Sequence, residues 1–322
     1  MASEIISRLC CTGADDVVAD SSAPKRTNAA NIFSSLSAPK EKWVYVPPGE
    51  CQLTEDFTPC KLIERAQVTD TTALLRFSLP DEHKALNLST CACILAKVTT
   101  MVPTEEEEED GTGHKRRMED VIRPYTPIST NHQVGSFDLL VRYYENGKMT
   151  QHFKQMKEGE SVDFKHIGFN VKIQAPTFAS CSHIGMIVGG TGITPMIQAL
   201  HAILGGESNK KTKVVMLYGS RDSKDILAQD LLKSWEEEYP QNFEVVHVLS
   251  HEPDDSSWKG KRGFIDKELI KEKFAPSDEK EQLIMVCGPP PMYKVFCGPR
   301  DDKELTGILR ELGYVADQVY KF

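Results

Sequence analysis

Near residue 180 the hydrophobic pattern changes period, and no other feature constrains the fold of this chain as strongly. Upstream, beginning at Phe57, short apolar–polar runs at 61–68, 73–79, 91–98, 137–144, 161–164 and 170–174 are separated by turn residues. Short strands with few helices between them predict a small antiparallel barrel. Downstream, apolar runs at 183–188, 213–218, 243–249 and 282–287 alternate with stretches of helical period. Met196, Leu200, Ile203 and Leu204 share one helix face before Gly205 and Gly206. Leu227, Leu231 and Trp235 share another before Pro240, a short helix is expected near 266–274, and Leu305, Ile308, Leu309 and Leu312 form a last helix closed by Gly313. Alternation of this kind predicts a doubly wound parallel sheet. The expected fold class is therefore β + α/β, an antiparallel β-barrel over 56–178 followed by a doubly wound domain over 179–322, with the boundary near 176–182.

Residues 1–55, rich in Ser, Ala, Asn and Pro, read as a largely disordered leader. Asp15, Asp16 and Asp20 speak against a mitochondrial transit peptide, whereas Arg8, Lys25 and Arg26 among small residues keep that reading as the alternative to a cytoplasmic or cytosol-facing protein. The acidic run 105–110, followed by Gly111, Gly113 and the basic 115–117, reads as a solvated hairpin loop near 104–118, or else as a partner-docking tail. With 38 Lys+Arg against 47 Asp+Glu the net charge is −9, which argues against nucleic acid as a general partner. The most apolar stretch, 184–204, contains Gly189, Gly190, Gly192, Pro195, Gln198 and His201, so no transmembrane segment is expected. Nine scattered cysteines without zinc-like spacing read as free thiols in a reducing compartment, with no metal site.

Three motifs carry chemistry. Gly189, Gly190, Thr191, Gly192, Ile193, Thr194 and Pro195 join a strand to a helix. Glycines there let backbone amides approach a phosphate at the helix N-terminus, although a merely tight turn has the same composition. Cys287, Gly288, Pro289, Pro290, Pro291 and Met292 follow the fourth strand of the same sheet. Ligands in such sheets bind beyond the strands' carboxyl ends, so three prolines there read as a stiff wall beside one polarizable sulfur; the other reading is a buried structural cysteine. Arg123, Pro124, Tyr125, Thr126, Pro127, Ile128 and Ser129 lie in the barrel region. Proline fixes an extended backbone around a guanidinium suited to a diphosphate and a ring suited to stacking, or the run is simply a stiffened edge strand.

In this order and spacing the three motifs resemble the NADH–cytochrome b5 reductase family, within the ferredoxin-reductase-like flavoenzymes. The resemblance runs from about Phe57 to Phe322, and the ending from Glu311 to Phe322 is similar to that of fungal mitochondrial members. It implies an FAD-binding barrel and a pyridine-nucleotide domain, with FAD and NADH as cofactors and NADPH left open. The implied activity is hydride transfer from NADH to FAD and single-electron delivery to a haem acceptor protein of cytochrome b5 type. The competing readings are an NADPH-preferring diaphorase and a redox-sensing flavodomain without turnover.

The resemblance also implies residue roles. Arg123 holds the FAD diphosphate with Pro124 fixing its backbone, Tyr125 packs on the isoalloxazine, and the Thr126 hydroxyl bonds the reactive flavin nitrogen. Leu140 and Arg142 belong to the strand near flavin and nicotinamide. Gly147, Lys148, Met149 and Thr150 match a second flavin-phosphate element, with Thr for the usual Ser. Gly189, Gly190, Thr191, Gly192, Thr194 and Pro195 line the flavin–nicotinamide crevice. Cys287 stands beside the nicotinamide ring, supported by Gly288, Pro289, Pro290 and Met292, so that Thr126 and Cys287 are the expected catalytic pair.

Three positions depart from the family pattern. Cys91, Ala92 and Cys93 replace a Gly-Gln-His-like segment, read as packing or as a redox pair. Residues 165–168 replace a Gly-Pro turn, which makes His166 a structural turn residue. Ser250 stands where NADH-preferring members commonly carry Asp, while Arg221 could accept a 2′-phosphate, with Asp222 beside it to offset its charge.

Overall fold

The computed structural model describes residues 50–107, 114–168, 175–205 and 211–322. The leader reading over 1–49 and the expected strand at 170–174 fall outside the described residues. The chain divides into two compact units between Gln174 and Ala175. The leader's last residues, however, pack on the first unit: Leu53 is buried in its core, and the Gln52 N–H donates to the Leu86 carbonyl at 2.8 Å.

The first unit holds six antiparallel strands, β1 (Thr58–Thr69), β2 (Thr72–Ser78), β3 (Ile94–Glu107), β4 (His114–Tyr125), β5 (Ser136–Arg142) and β6 (Ser161–His166), in the order β4-β3-β6-β1-β2-β5. β1 pairs with β6 through its first four residues and with β2 through the rest. Its register shifts at Leu62/Glu64 and Gln67/Thr69 bend the strand, and the sheet curls into a half-barrel with β4 and β5 as its edges. Phe77, Phe137 and Phe164 fill the interior with centroid separations of 4.9–5.7 Å. Helix α1 (Lys148–Gln155) packs against them through Phe153, 5.9 Å from Phe77. Arg65 closes the far end of α1, donating to the Phe153 carbonyl at 2.6 Å, the Lys154 carbonyl at 3.1 Å and the Met156 carbonyl at 2.7 Å.

Two expectations change in this unit. β4 is an unexpected strand: half of the acidic run belongs to β3, which continues to Glu107 and pairs there with His114, so the hairpin loop is shorter than its charge suggested. The strand expected from residue 91 begins at Ile94, because Cys91 has φ +60, a left-handed conformation that interrupts an extended run.

The second unit holds β7 (His183–Gly189), β8 (Lys213–Ser220), β9 (Phe243–Leu249), β10 (Lys261–Arg262), β11 (Gln282–Cys287) and β12 (Val319–Lys321). All are parallel, in the order β10-β9-β8-β7-β11-β12. The chain therefore reverses its direction across the sheet between β7 and β11, the place where such sheets open a crevice at their carboxyl ends. After the short α2 (Ala175–Ala179) come α3 (Ile193–Leu204), α4 (Gln229–Glu238), α5 (Lys267–Lys273), α6 (Pro290–Phe296) and α7 (Gly307–Glu311). β7 is buried from Ile184 onward, as a central parallel strand must be. α3 is buried from Ile193 to Ile203 rather than along one face. α4 starts after Leu227 because Ala228, with φ +55, turns the chain first. No helix among the described residues is long and apolar enough to cross a membrane.

Candidate functional site

In the first unit the 123–126 run leaves the end of β4. Arg123 and Pro124 are exposed, and Tyr125 and Thr126 are half-buried. Arg123 donates Nη1 to the neighbouring Ile122 carbonyl at 2.7 Å. The Tyr125 ring meets Phe153 edge-on, 5.4 Å between centroids, and burial pushes its hydroxyl pKa upward against the pull of Arg123. Phe153 belongs to α1, so this contact ties the 123–126 run to the helix that carries the 147–150 element.

Gly147 is the N-cap of α1, and the first turn has neither a side-chain cap nor an acidic residue. Its orphan N–H groups and positive dipole end are therefore not neutralised by the helix's own side chains, and a nearby anion would be favoured there. The Thr150 hydroxyl accepts from the Tyr144 N–H at 3.1 Å and donates to the Gly147 carbonyl at 3.1 Å, which folds the loop back onto the helix. Met149 is buried in the barrel core, while Lys148 is exposed with its Nζ 3.6 Å from Glu119. On β5, Phe137, Leu139 and Val141 face the core, and alternation turns Leu140 and Arg142 to the other face.

In the second unit, β7 ends at Gly189 and residues Gly190–Gly192 form a single 3₁₀ turn leading into α3. Gly190 has φ +52, and Tyr218 of β8 donates its hydroxyl to the Gly190 carbonyl at 3.0 Å. That bond fixes the turn. α3 has Gly192 as N-cap, again with neither cap nor acid in its first turn, and Thr194 and Pro195 follow within it. α6 and α7 likewise lack a cap and an acid, whereas α5 has both and α4 has the acid. Asp266 caps α5 by accepting the Leu269 N–H at 2.8 Å, with Glu268 in the same turn, and α4 carries Asp230.

Cys287 ends β11 directly beside Val188 of β7. A Cβ on Gly192 would fall 2.9 Å from the Gly288 nitrogen and closer still to the Cys287 carbonyl, so the glycine turn and the cysteine run share one place. The Met292 thioether covers Gly189 and Gly288. The prolines start a helix, with Pro289 Cδ 3.0 Å from where a Cβ on Gly189 would lie. Pro289 is the N-cap, and Pro290 and Pro291 open α6, where missing N–H groups cost nothing. Tyr293 of that helix hydrogen-bonds the Cys287 side chain and donates to the Phe322 carbonyl at 2.7 Å.

Arg221 follows β8 and is exposed, while its carbonyl accepts the His251 N–H at 2.7 Å. The Asp222 carboxylate accepts from the Lys224 and Asp225 amides at 2.9 and 3.1 Å and is thereby held as a turn cap. The Ser250 hydroxyl lies 2.8 Å from His251 Nδ1. His166 is not a turn residue: it closes β6, buried opposite Ile94, and burial lowers its pKa against the field of Glu55. Tyr218, Tyr293 and Phe153 escaped the sequence reading. For the first two, a tyrosine near the end of a buried strand or just after the cysteine run was the available signal.

A family model described as oxidoreductase FAD-binding domain matches residues 112–168, and one described as oxidoreductase NAD-binding domain matches 186–298. The chain is 38% identical over 296 residues to NADH-cytochrome b5 reductase 2 of Neosartorya fischeri, covering 91% of this chain and 84% of that protein. It is 36% identical over 280 residues to NADH-cytochrome b5 reductase 2 of Pyricularia oryzae, covering 86% and 78%. Among solved structures it resembles the cytochrome b5 reductase domain of Ulva prolifera nitrate reductase, with TM-score 0.68 and 25% identity over 84% of this chain and 99% of that one. An antiparallel and a parallel unit with these motifs, together with this extent of identity, place the chain in the NADH–cytochrome b5 reductase family.

Proposed function

We propose that this chain oxidises NADH by way of FAD and passes single electrons to a haem protein of cytochrome b5 type. One observation carries the reading: two of the helix N-termini without cap or acid, those of α1 and α3, stand one in each unit, α1 against β4, the strand that carries Arg123, and α3 directly after the Gly189–Gly192 turn. Uncapped N-termini, against a strand that carries a guanidinium or after close-packed glycines, fit the diphosphates of FAD and NADH. FAD, when bound, accepts the hydride pair and releases electrons one at a time.

The protein's own part is binding and alignment. Arg123 and the first turn of α1 would hold the flavin diphosphate, Tyr125 would offer its ring to the flavin, and Thr126 its hydroxyl. The first turn of α3, held by Tyr218, would bind the nicotinamide coenzyme's phosphates. Cys287, at the end of β11, would set the position of the nicotinamide ring. The relatives' name supports cytochrome b5 as the acceptor. Mixing purified protein with NADH should bleach bound flavin, and adding cytochrome b5 should restore the colour as the haem is reduced. Flavin that stays oxidised under NADH would overturn the reading; bleaching without haem reduction would remove the acceptor alone.

A further inference from the structure

The edge strand of the half-barrel carries exposed apolar side chains at Met118 and Ile122 that the proposed flavin site leaves unexplained, while its Glu119 lies 3.6 Å from Lys148. β4 pairs with β3 on one side, and no other described strand pairs with it on the other. Met101 and Met118 stand directly opposite each other on the β3–β4 hairpin, 59% and 61% exposed. Ile122 is 39% exposed on the same face, and Thr99 donates to Asp120 at 2.7 Å between them. The opposite face holds Arg117, Glu119 and the buried Val121. An unpaired strand edge bearing exposed apolar side chains is a template for another strand.

The charge pattern selects which strand. Around Met118, β4 places Arg117 on one side and Glu119 on the other. Antiparallel pairing of two copies about a two-fold axis through Met118 sets Arg117 of each copy opposite Glu119 of the second. It also sets Met118 against Met118, flanked by the two Met101 side chains, so four methionines form one row across the joined sheets. Methionine adapts its shape to such contacts. Parallel pairing in register would instead oppose like charges, which is destabilising.

We propose that two copies of this chain associate through antiparallel β4–β4 pairing centred on Met118, a closed two-fold interface. Sedimentation velocity of the full-length flavoprotein, from low to high micromolar concentration, tests it. The expected result is a mass rising from monomer to dimer. Arg117→Glu and Glu119→Arg should each weaken association more than about tenfold by opposing like charges, and the double exchange should restore it. A wild type that stays monomeric at every concentration overturns the proposal. So does a dimer that survives both single reversals, since another surface would then hold it. Thermal melts check that the variants fold, and Met118→Lys, on the solvent face, gives an independent disruption with the same expected loss.

Discussion

Gly192 lies so close to Cys287 that no side chain fits between them: a Cβ there would collide with the Cys287 carbonyl and lie 2.9 Å from the Gly288 nitrogen. The residue has φ −60, an ordinary helical value, so close approach alone demands glycine. The loop after β7 and the end of β11 are thus held at one fixed separation at the sheet's switch point.

Gly192→Ala should therefore destabilise the second unit by about 1–3 kcal/mol, the usual cost of overpacking, and should slow flavin reduction by NADH. Gly189→Ala presses mainly on the flexible Met292 side chain and should cost less. Thermal melts and stopped-flow reduction of both variants check the order; a Gly192→Ala protein as stable and fast as wild type would contradict it.

The parallel unit was legible because buried strands and glycine-stopped helices announce themselves by period: β9 and β11 begin and end where the apolar runs do. β4 was hidden. Its Lys115, Arg117, Glu119 and Asp120 look like solvated loop, and only pairing with β3 makes the segment a strand. The helix opened by the prolines after Cys287 was hidden for another reason. Rigidity is visible in sequence, but whether a proline run ends a structure or starts a helix depends on the residues after it, and Met292 to Phe296 supply the helix. At the site, residue types and spacing were readable. The Tyr218–Gly190 bond and the Met292 cover are tertiary and had no local signature.

Arg76→Ala should destabilise the barrel by about 3–5 kcal/mol, the range for breaking a buried ion pair. Asp138 is fully buried and takes two bonds from Arg76, Nε to Oδ1 at 2.7 Å and Nη2 to Oδ2 at 2.9 Å. Without the guanidinium its charge keeps only weaker company, such as Gln133 Nε2 at 3.2 Å. The urea midpoint measures the loss, and a shift no larger than that of a surface substitution would refute it.

Stability should fall on the acid side partly through His247. Burial between Tyr218 and Trp258 lowers its pKa from 6.5 to about 4. The unfolded chain takes up a proton that the folded protein resists, so stability is level above 6.5 and declines as pH drops from there to about 4. His152 and His166 are lowered as well and add the same sign. His247→Phe should flatten the decline without abolishing it. Denaturant titrations across that window give the slope, and an unchanged slope assigns the loss to other groups.

Arg123→Ala should release FAD more readily while sparing the fold, since the side chain is exposed and its one protein bond is to its neighbour's carbonyl. Charge-assisted bonds contribute about 1.5–3 kcal/mol each, or about ten- to a hundredfold in dissociation constant. The flavin-to-protein absorbance ratio after dialysis reads this directly, and full retention would remove Arg123 from the diphosphate.

Cys287 separates a positioning role from a packing role. Its thiol ends β11, half-buried, with the Tyr293 hydroxyl as hydrogen-bond neighbour and Gly192 against its carbonyl. Serine is smaller and keeps hydrogen-bonding capacity, so Cys287→Ser should hold FAD normally and melt close to wild type. What it changes is the bulk and polarizability at the point proposed for the nicotinamide, and a displacement of about an ångström can cost on the order of a hundredfold in rate. Flavin reduction by NADH should slow at saturating coenzyme, so that kcat falls more than KM rises. Tyr293→Phe provides the contrast. It leaves the sulfur in place but removes the bond that ties Phe322 to α6, so its main effect should be a lower melting temperature. A Cys287→Ser protein that reduces its flavin at the wild-type rate would make the residue structural, and a slow Tyr293→Phe protein with an intact melt would move the positioning role to the tyrosine.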